Sequence, residues 1–150
     1  MQSLKIRIAN LSDKEQIERC VNLAYEKYIP RIGKKPKPML DDYIFLIDKG
    51  NVFLGEYEGQ LVGILVLKNS EKYIFLDNVA VEPSYQGKGF GKKLLLFAEK
   101  YAKEKDIKEI RLYTNAKMFE NIAIYKKMGF SEFESKQEDG YDRIYFKKQF

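Results

Sequence analysis

Three glycines at alternating positions, Gly87, Gly89 and Gly91, connect a run typical of a buried strand to a run typical of an amphipathic helix. Glycine allows left-handed backbone and the close approach of a ligand, and the first N–H groups of a helix have no partner within it. The positive end of the helix dipole adds about half an elementary charge at the same point, and Lys88 and Lys92 add full charges. The stretch therefore predicts an anion site, and phosphate is the anion that such turns usually bind.

The spacing of the turn excludes two common phosphate motifs. A Walker A loop needs glycine, four residues and then Gly-Lys-Ser/Thr, but Gln86 stands in the first place and Lys93 in the last. The dinucleotide fingerprint Gly-x-Gly-x-x-Gly lacks its third glycine in either register. The pattern that remains is Gln-x-x-Gly-x-Gly, with its glycines at 89 and 91.

The composition limits the chemistry that the chain can perform. Its 150 residues match one domain with one core, so we expect residues 1–150 to form a single domain. The absence of His excludes Ser-His and Cys-His triads. The single Cys20 cannot form an internal disulfide and favours a reducing cytoplasm. With so few soft ligands we expect no metal.

Charge and hydropathy bear on the partners. No apolar run approaches the roughly 20 residues of a membrane-spanning helix, so we expect no membrane contact. The net charge of +5 fits an anionic partner but also an ordinary solvated surface. Because the lysines are scattered rather than clustered on one helix, a nucleic acid is not the favoured partner.

Hydrophobic periodicity predicts the elements that position the glycine turn. The predicted order is βααβββαβαββ, an α+β fold with a mixed sheet. The strands are predicted at 5–10, 51–57, 61–68, 73–81, 109–114, 131–137 and 141–148. The helices are predicted from 12 to the residue before Pro30, at 39–49, from the glycine turn to about 105, and at 121–128.

The turn and a second motif resemble one protein family. Gln86-x-x-Gly-x-Gly resembles the acyl-CoA signature of the GNAT superfamily of N-acetyltransferases. Asn121, followed by a helix that carries Tyr125 and ends at Gly129-Phe130, resembles the family's second hallmark. The likeness covers nearly the whole chain and implies the GNAT fold, whose mostly antiparallel mixed sheet is splayed between its two central strands. Two further patterns, Pro-Met-x-x-Asp-Tyr at 38–43 and Leu-Tyr-Thr-Asn at 112–115, resemble a subset of that superfamily.

The resemblance implies acetyl-CoA as co-substrate and assigns the residues that hold it. Its pyrophosphate is expected at the backbone of the turn, formed by Gln86, Gly87, Lys88, Gly89, Phe90, Gly91 and Lys92. Its pantetheine arm is expected along Val79, Ala80 and Val81, with Asn115 and Asn121 as hydrogen-bond partners. Asn115 is equally consistent with a turn residue, and Asn78 is the predicted bulge that starts the splay.

The implied reaction is acetyl transfer to a primary amine by direct attack on the thioester. An amine with a pKa near 10.4 is almost entirely protonated at pH 7, so a proton acceptor helps, and the departing thiolate benefits from a donor. Tyr125 stands where the family often has this acid, although it could merely pack its helix. Asp77, predicted on the same face as Val79, is the candidate base, and Glu82 is the alternative; the place where some members carry a glutamate is occupied by Phe75 here.

The acceptor site is predicted in the segment 28–43. Asp42 could hold an ammonium group between Tyr28 and Tyr43 as aromatic walls, or it could cap the second helix. The aromatic segment favours a closed pocket for a small amine or polyamine over an open peptide groove. A coenzyme A-binding module without catalysis is the alternative function, and a homodimer is common in the superfamily.

Overall fold

The computed structural model describes residues 3–150. Its strands are β1 (Lys5–Ile8), β2 (Val52–Tyr57), β3 (Gln60–Asn69), β4 (Ile74–Val81), β5 (Glu109–Asn115), β6 (Ser131–Glu138) and β7 (Tyr141–Gln149). Its helices are α1 (Lys14–Tyr25), α2 (Ile29–Ile32), α3 (Tyr43–Asp48), α4 (Phe90–Glu104) and α5 (Phe119–Lys127). One mixed sheet runs in the order β1-β2-β3-β4-β5-β7-β6, and only β4 and β5 pair in parallel. The predicted α+β class and order of strands are confirmed, and the short α2 is one helix more than predicted between β1 and β2.

The sheet is covered on both faces, and β3 shows how. Along this strand Ile64 and Val66 belong to a first core cluster with α1 and α3. The alternate residues Leu65 and Leu67 belong to a second cluster with α4 and α5. Because side chains of a strand alternate between faces, a strand buried on both faces must be apolar throughout. This accounts for the unbroken apolar run at the centre of β3.

The predicted splay lies between the two central strands. Pairing of β4 with β5 joins only Ile74–Leu76 to Ile110–Leu112. Residues 77–81 of β4 then continue without a partner on β5, although residues 78–81 still pair with β3. The second edge of this half of β4 is therefore open.

A bulge starts the splay one residue before the predicted position. Val66 of β3 faces Asn78, whereas the next residue, Leu67, faces Leu76. Asp77 is therefore the extra residue, and an extra residue bends its strand away from the neighbour. The prediction that Asn78 marks the bulge was wrong by one position.

The bulge also changes which side chains share a face. Asp77 contacts Lys37 on the side of the sheet that carries α1, whereas Val79 packs against the second core cluster. The prediction that both side chains point to one face assumed regular alternation, and the extra residue breaks that alternation.

The first helical region differs from its prediction at Pro30. α1 is followed by a 3-10 turn and then by α2, which contains Pro30 in its first turn. The N–H groups of a first turn have no helical partner, so a proline is tolerated there. The helical segment ends instead at Gly33, whose φ of +92° is left-handed.

The predicted helix 39–49 is divided in two. A 3-10 turn covers Lys37–Leu40, and α3 begins only after Asp42. The Asp42 carboxylate accepts the Phe45 N–H at 3.1 Å, so Asp42 has the capping role that the sequence offered as its alternative. No helix within residues 3–150 is long and apolar enough to cross a membrane.

Candidate active site

Two cavities open from the splay between β4 and β5. The first, called the long groove, has a volume of about 650 Å³ and runs between β4, the glycine turn, α1 and α5. The second, called the small cavity, has a volume of about 40 Å³ and lies between β4, β5, β7 and the loop before α3. Four residues line both of them: Tyr25, Val79, Asn121 and Tyr125. These residues therefore mark the point where the two cavities meet.

The long groove gathers most of the predicted cofactor residues. It is lined by Val79, Ala80, Val81, Gln86, Gly87, Gly89, Phe90, Gly91, Lys92 and Asn121. Lys88 is exposed and is not among its lining residues. Asn115 lines the small cavity instead, and its side-chain oxygen accepts the Lys117 N–H at 2.9 Å, which is the predicted turn role.

The open edge of β4 presents backbone N–H groups to the groove. The Glu82 N–H donates to Val62 O at 2.8 Å. In an antiparallel ladder, bonded pairs alternate with pairs that direct their polar groups outward. Val79 and Val81 are thus the residues whose N–H and C=O groups point away from β3, toward the splay.

One of the two outward carbonyl groups has a donor: the Gln86 amide donates to Val81 O at 3.0 Å and so fixes the start of the glycine turn to the end of β4. The Tyr25 hydroxyl lies 3.1 Å from Val79 O, but its single proton is directed to Asn78 Oδ1, 2.5 Å away. Within residues 3–150 the N–H groups of Val79 and Val81 remain available on this edge, and they suit a ligand that adds itself as a further strand.

The glycine turn has the backbone geometry of an anion site. Gly87 and Gly89 have φ values of +81° and +82°, in the left-handed region. A Cβ on either would meet no atom within 4 Å, so glycine is needed there for its backbone conformation and not for space. Gly89 is also the N-cap of α4, whose first N–H groups lack helical partners. Lys92 adds a positive charge at the groove.

Tyr125 is buried but its hydroxyl is accessible from the cavities. Its side chain is 5% exposed and packs against Phe130 and Phe146. Its hydroxyl makes no hydrogen bond within residues 3–150, yet no fully buried polar side-chain atom there lacks a partner. The hydroxyl therefore faces the cavities. Burial raises the pKa of Tyr125, so it remains a proton donor at neutral pH.

A buried polar chain that the sequence did not predict runs beside Tyr125. The Tyr25 hydroxyl donates to Asn78 Oδ1 at 2.5 Å, and Asn78 Nδ2 donates to the Tyr43 hydroxyl at 3.2 Å. The Tyr43 hydroxyl in turn donates to Pro38 O at 2.6 Å. Burial raises the pKa of both Tyr25 and Tyr43, which keeps them as donors. This chain ties α1, the bulge, α3 and the loop together.

Asp77 lies in the small cavity within a group of charges. Both of its carboxylate oxygens are 3.2 Å from Lys37 Nζ, and Lys68 Nζ lies 3.6 Å away. Lys37 also contacts Asp41 at 3.1 Å. The Asp77 side chain is only 2% exposed, so its negative charge acts on the cavity and not on solvent. The alternative base, Glu82, lines neither cavity and accepts a hydrogen bond from Ser84.

The three predicted acceptor residues are not brought together. Tyr28 lines the long groove, and burial raises its pKa to about 12. Lys27 Nζ and Arg31 Cζ each lie 5.1 Å from the centroid of its ring. Tyr43 lines neither cavity and serves in the polar chain. Asp42 is an exposed helix cap outside both cavities.

Different residues surround the small cavity. They are Lys37, Tyr113, Tyr141 and Arg143, which come from the loop, β5 and β7. Lys37 lies within the predicted acceptor segment 28–43 without having been singled out, and the other three lie outside that segment. Tyr113 belongs to the Leu-Tyr-Thr-Asn pattern, which is the one feature that could have drawn attention to it. The other three become neighbours only when β7 is inserted between β5 and β6.

The fold and the two joined cavities are those of an acyl-CoA N-acyltransferase. Residues 17–130 match the family model described as "Acetyltransferase (GNAT) family". The chain is 34% identical over 138 residues to the uncharacterized N-acetyltransferase YjgM of Escherichia coli K12, covering 86% of this chain and 83% of that protein. It is 30% identical over 149 residues to the spermidine N(1)-acetyltransferase of Thermoplasma acidophilum, covering 98% and 85%.

A solved structure shows the same fold. The PaiA N-acetyltransferase of Thermoplasma acidophilum in complex with coenzyme A has a TM-score of 0.77, with 24% identity and 99% of each chain covered. The chain described here belongs to the GNAT family and is an N-acetyltransferase.

Proposed function

We propose that this protein transfers the acetyl group of acetyl-CoA to a primary amine by direct attack on the thioester. The observation that carries the proposal is the meeting of the long groove and the small cavity at Tyr125. A donor molecule in one cavity and an acceptor in the other would meet beside a hydroxyl that has no other partner in residues 3–150 and that stays protonated.

The long groove fits coenzyme A through its backbone groups. The N–H groups at the start of α4, with Lys92, would bind the pyrophosphate, because they combine unpaired donors with a positive dipole end. The N–H groups of Val79 and Val81 would bind the pantetheine arm as an added strand. Asn121 lines both cavities, and its side chain would bind the arm near the thioester.

The chain's thiol is unsuited to an acetyl-enzyme intermediate. Cys20 is 2% exposed in the first core cluster and lines neither cavity. Burial raises its pKa to about 12, so the nucleophilic thiolate is scarce. Direct transfer therefore needs fewer assumptions than a covalent relay.

Two protons move during direct transfer. The amine nitrogen forms a bond to the thioester carbon as the carbon–sulfur bond breaks. The departing thiolate takes a proton from the Tyr125 hydroxyl. The amine loses its excess proton to Asp77, which lines the acceptor side, either directly or through a water molecule.

The relatives support this proposal at the level of chemistry. One is an N-acetyltransferase of spermidine, and the solved structure holds coenzyme A. The alternative, a coenzyme A-binding module without catalysis, would not require an unbonded tyrosine hydroxyl where the cavities meet.

Substitution Tyr125→Phe tests the proposal. It removes only the hydroxyl, and the loss of a general acid should lower kcat by about 10²-fold. The KM for acetyl-CoA should change little, because the ring stays in place. Release of free thiol during turnover of an amine panel measures both constants.

Tyr101→Phe is the matched control, since that hydroxyl bonds Asn69 outside both cavities and its loss should leave kcat unchanged. An unchanged kcat in Tyr125→Phe would remove the acid role. Coenzyme A binding by the parent protein without thiol release for any amine would favour the non-catalytic module.

A further inference from the structure

The charged side chains of the small cavity indicate which kind of acceptor it can bind. Three charged side chains line it: Lys37, Asp77 and Arg143. Asp77 and Lys37 already form an ion pair with each other. Arg143 is the charged group whose hydrogen-bonding capacity is only partly used.

Arg143 is a buried arginine with a free edge. Its side chain is 6% exposed, and only Nη1 has partners within residues 3–150: Asp139 at 3.1 Å and Glu138 at 3.3 Å. The Asp139 side chain is 79% exposed, so that pair lies on the solvent side and is screened. Nε and Nη2 form the other edge of the guanidinium, with two parallel N–H bonds and no partner in the described part of the chain.

The guanidinium is held in place by two rings of the same cavity. Its central carbon lies 4.3 Å from the Tyr113 ring centroid and 5.4 Å from that of Tyr141. Both rings line the small cavity. Tyr141 is itself fixed, because its hydroxyl donates to Lys35 O at 2.5 Å. A planar guanidinium fork that contacts two aromatic rings is suited to a planar anion such as a carboxylate.

The two cavities have no carboxylate left for a second ammonium group of the acceptor. Among the lining residues from 3 to 150 the carboxylates are Asp77, which would serve the reacting amine, and Glu120. Asp77 is paired with Lys37 and Lys68, and Glu120 is paired with Arg31 at 2.7 Å. A polyamine carries additional ammonium groups, and these would meet no unpaired carboxylate here.

Resting on the proposed function, we infer that the acceptor is a small amine that carries a carboxylate a few bonds from its amino group, as an amino acid does. The free edge of Arg143 binds the carboxylate, and Asp77 faces the amino group. The products are the N-acetylated amino acid and free coenzyme A. Arg143 is therefore a specificity-determining residue for this reaction.

The experiment compares matched acceptors with the complete protein. The acceptors are the amino acids, the corresponding amino-acid amides, taurine and aminomethylphosphonate as other anions, and spermidine as a cation. Thiol release gives kcat/KM, and the mass of the acetylated product confirms each turnover. The best amino acid should exceed its own amide by about 30-fold, as expected for a charge-assisted bidentate contact.

Two variants assign the effect to Arg143. Arg143→Met should raise KM for the best amino acid by about 30-fold with little change in kcat, and should leave its amide unaffected. Arg143→Lys keeps the charge but not the fork, so it should recover only part of the loss. Arg111→Met is the matched control: Arg111 also stacks on an aromatic ring, Tyr73, at 4.5 Å, but it lines neither cavity, and the variant should keep the parent preference.

Each outcome decides the question. Spermidine or the amides as the best substrates would overturn the inference and leave the proposed acetyl transfer intact. Taurine or aminomethylphosphonate as the best substrate would overturn the carboxylate assignment. Equal KM values for the amino acid in the parent and in a folded Arg143→Met variant would show that Arg143 does not bind the carboxylate of the acceptor. If no amine is acetylated although coenzyme A binds, the proposed function fails and the inference falls with it.

Discussion

The long groove and the small cavity differ in the kind of groups that line them. The groove presents mainly backbone groups: the outward N–H groups of β4, the left-handed turn at Gly87 and Gly89, and the start of α4. The small cavity presents side chains from β4, β5, β7 and the loop before α3. Backbone groups are available to any sequence that adopts the fold, whereas a side-chain cavity can change at each residue. The long groove can therefore be shared by a family while the small cavity differs.

The strongest test of this difference is Asp77→Asn. If Asp77 accepts the amine proton, kcat should fall by about 10²-fold, and the KM for acetyl-CoA should stay constant because the long groove is untouched. The measurement is kcat as a function of pH with the best acceptor.

Lys37→Met is the companion variant, because it breaks the same ion pair and keeps the carboxylate. It should raise the KM of the acceptor more than it lowers kcat. Equal losses of kcat in both variants would mean that Asp77 only anchors the loop.

Gly89→Val should weaken the binding of acetyl-CoA in the long groove and leave the small cavity unaffected. A β-branched residue at φ +82° costs about 1–2 kcal/mol and disturbs the N–H groups that begin α4. We expect the KM for acetyl-CoA to rise about 10-fold, with little change in the preference among acceptors. Steady-state kinetics with acetyl-CoA varied will measure the change.

Gly59→Val is its matched control. Gly59 has φ +77°, and a Cβ there also meets no atom within 4 Å, but it lies in the β2–β3 turn away from both cavities. The control should lose stability to a similar degree and keep its KM. A raised KM in both variants would show that strain alone, and not the anion site, accounts for the effect.

The smallest effect on activity is expected from Asn78→Leu. The change removes the side chain between Tyr25 and Tyr43 and leaves two buried hydroxyl groups with fewer partners. The free energy of unfolding should fall by about 1–3 kcal/mol, which urea unfolding will measure. We expect the KM values of both substrates to change less than threefold. A large change in the acceptor KM alone would make the polar chain part of the acceptor site.

Much of the long groove could be predicted from the sequence, because its residues lie close together in the chain. The turn at Gly87–Gly91 and the strand before it are adjacent in the chain, so their spacing already defines the N–H groups that they present. The same holds for Asn121 and Tyr125, which lie four residues apart, one turn along α5. Along the long groove lie Val79–Val81 of the strand, Asn121, Tyr125 and the turn residues other than Lys88.

The residues of the small cavity could not be predicted in the same way. Asp42 and Tyr43 follow the loop closely in sequence, but capping and the polar chain occupy them. Asp77 was expected to share a face with Val79; a bulge was predicted at Asn78, but the extra residue is Asp77 itself, so the two side chains lie on opposite faces. Arg143 lies over 100 residues from Lys37, and only the insertion of β7 beside β5 brings it to the cavity.

The sequence by itself determined the fold class, the glycine turn and the presence of Tyr125 on the short helix α5. These features depend on residue types at short spacings, which dictate backbone conformation and helix ends directly. The tertiary structure alone decided that two cavities meet at Tyr125 and that Arg143, and not Asp42, lines the small cavity. Such contacts depend on how distant strands pair and where one of them bulges, and a single added residue in a ladder reverses the face that every following side chain occupies.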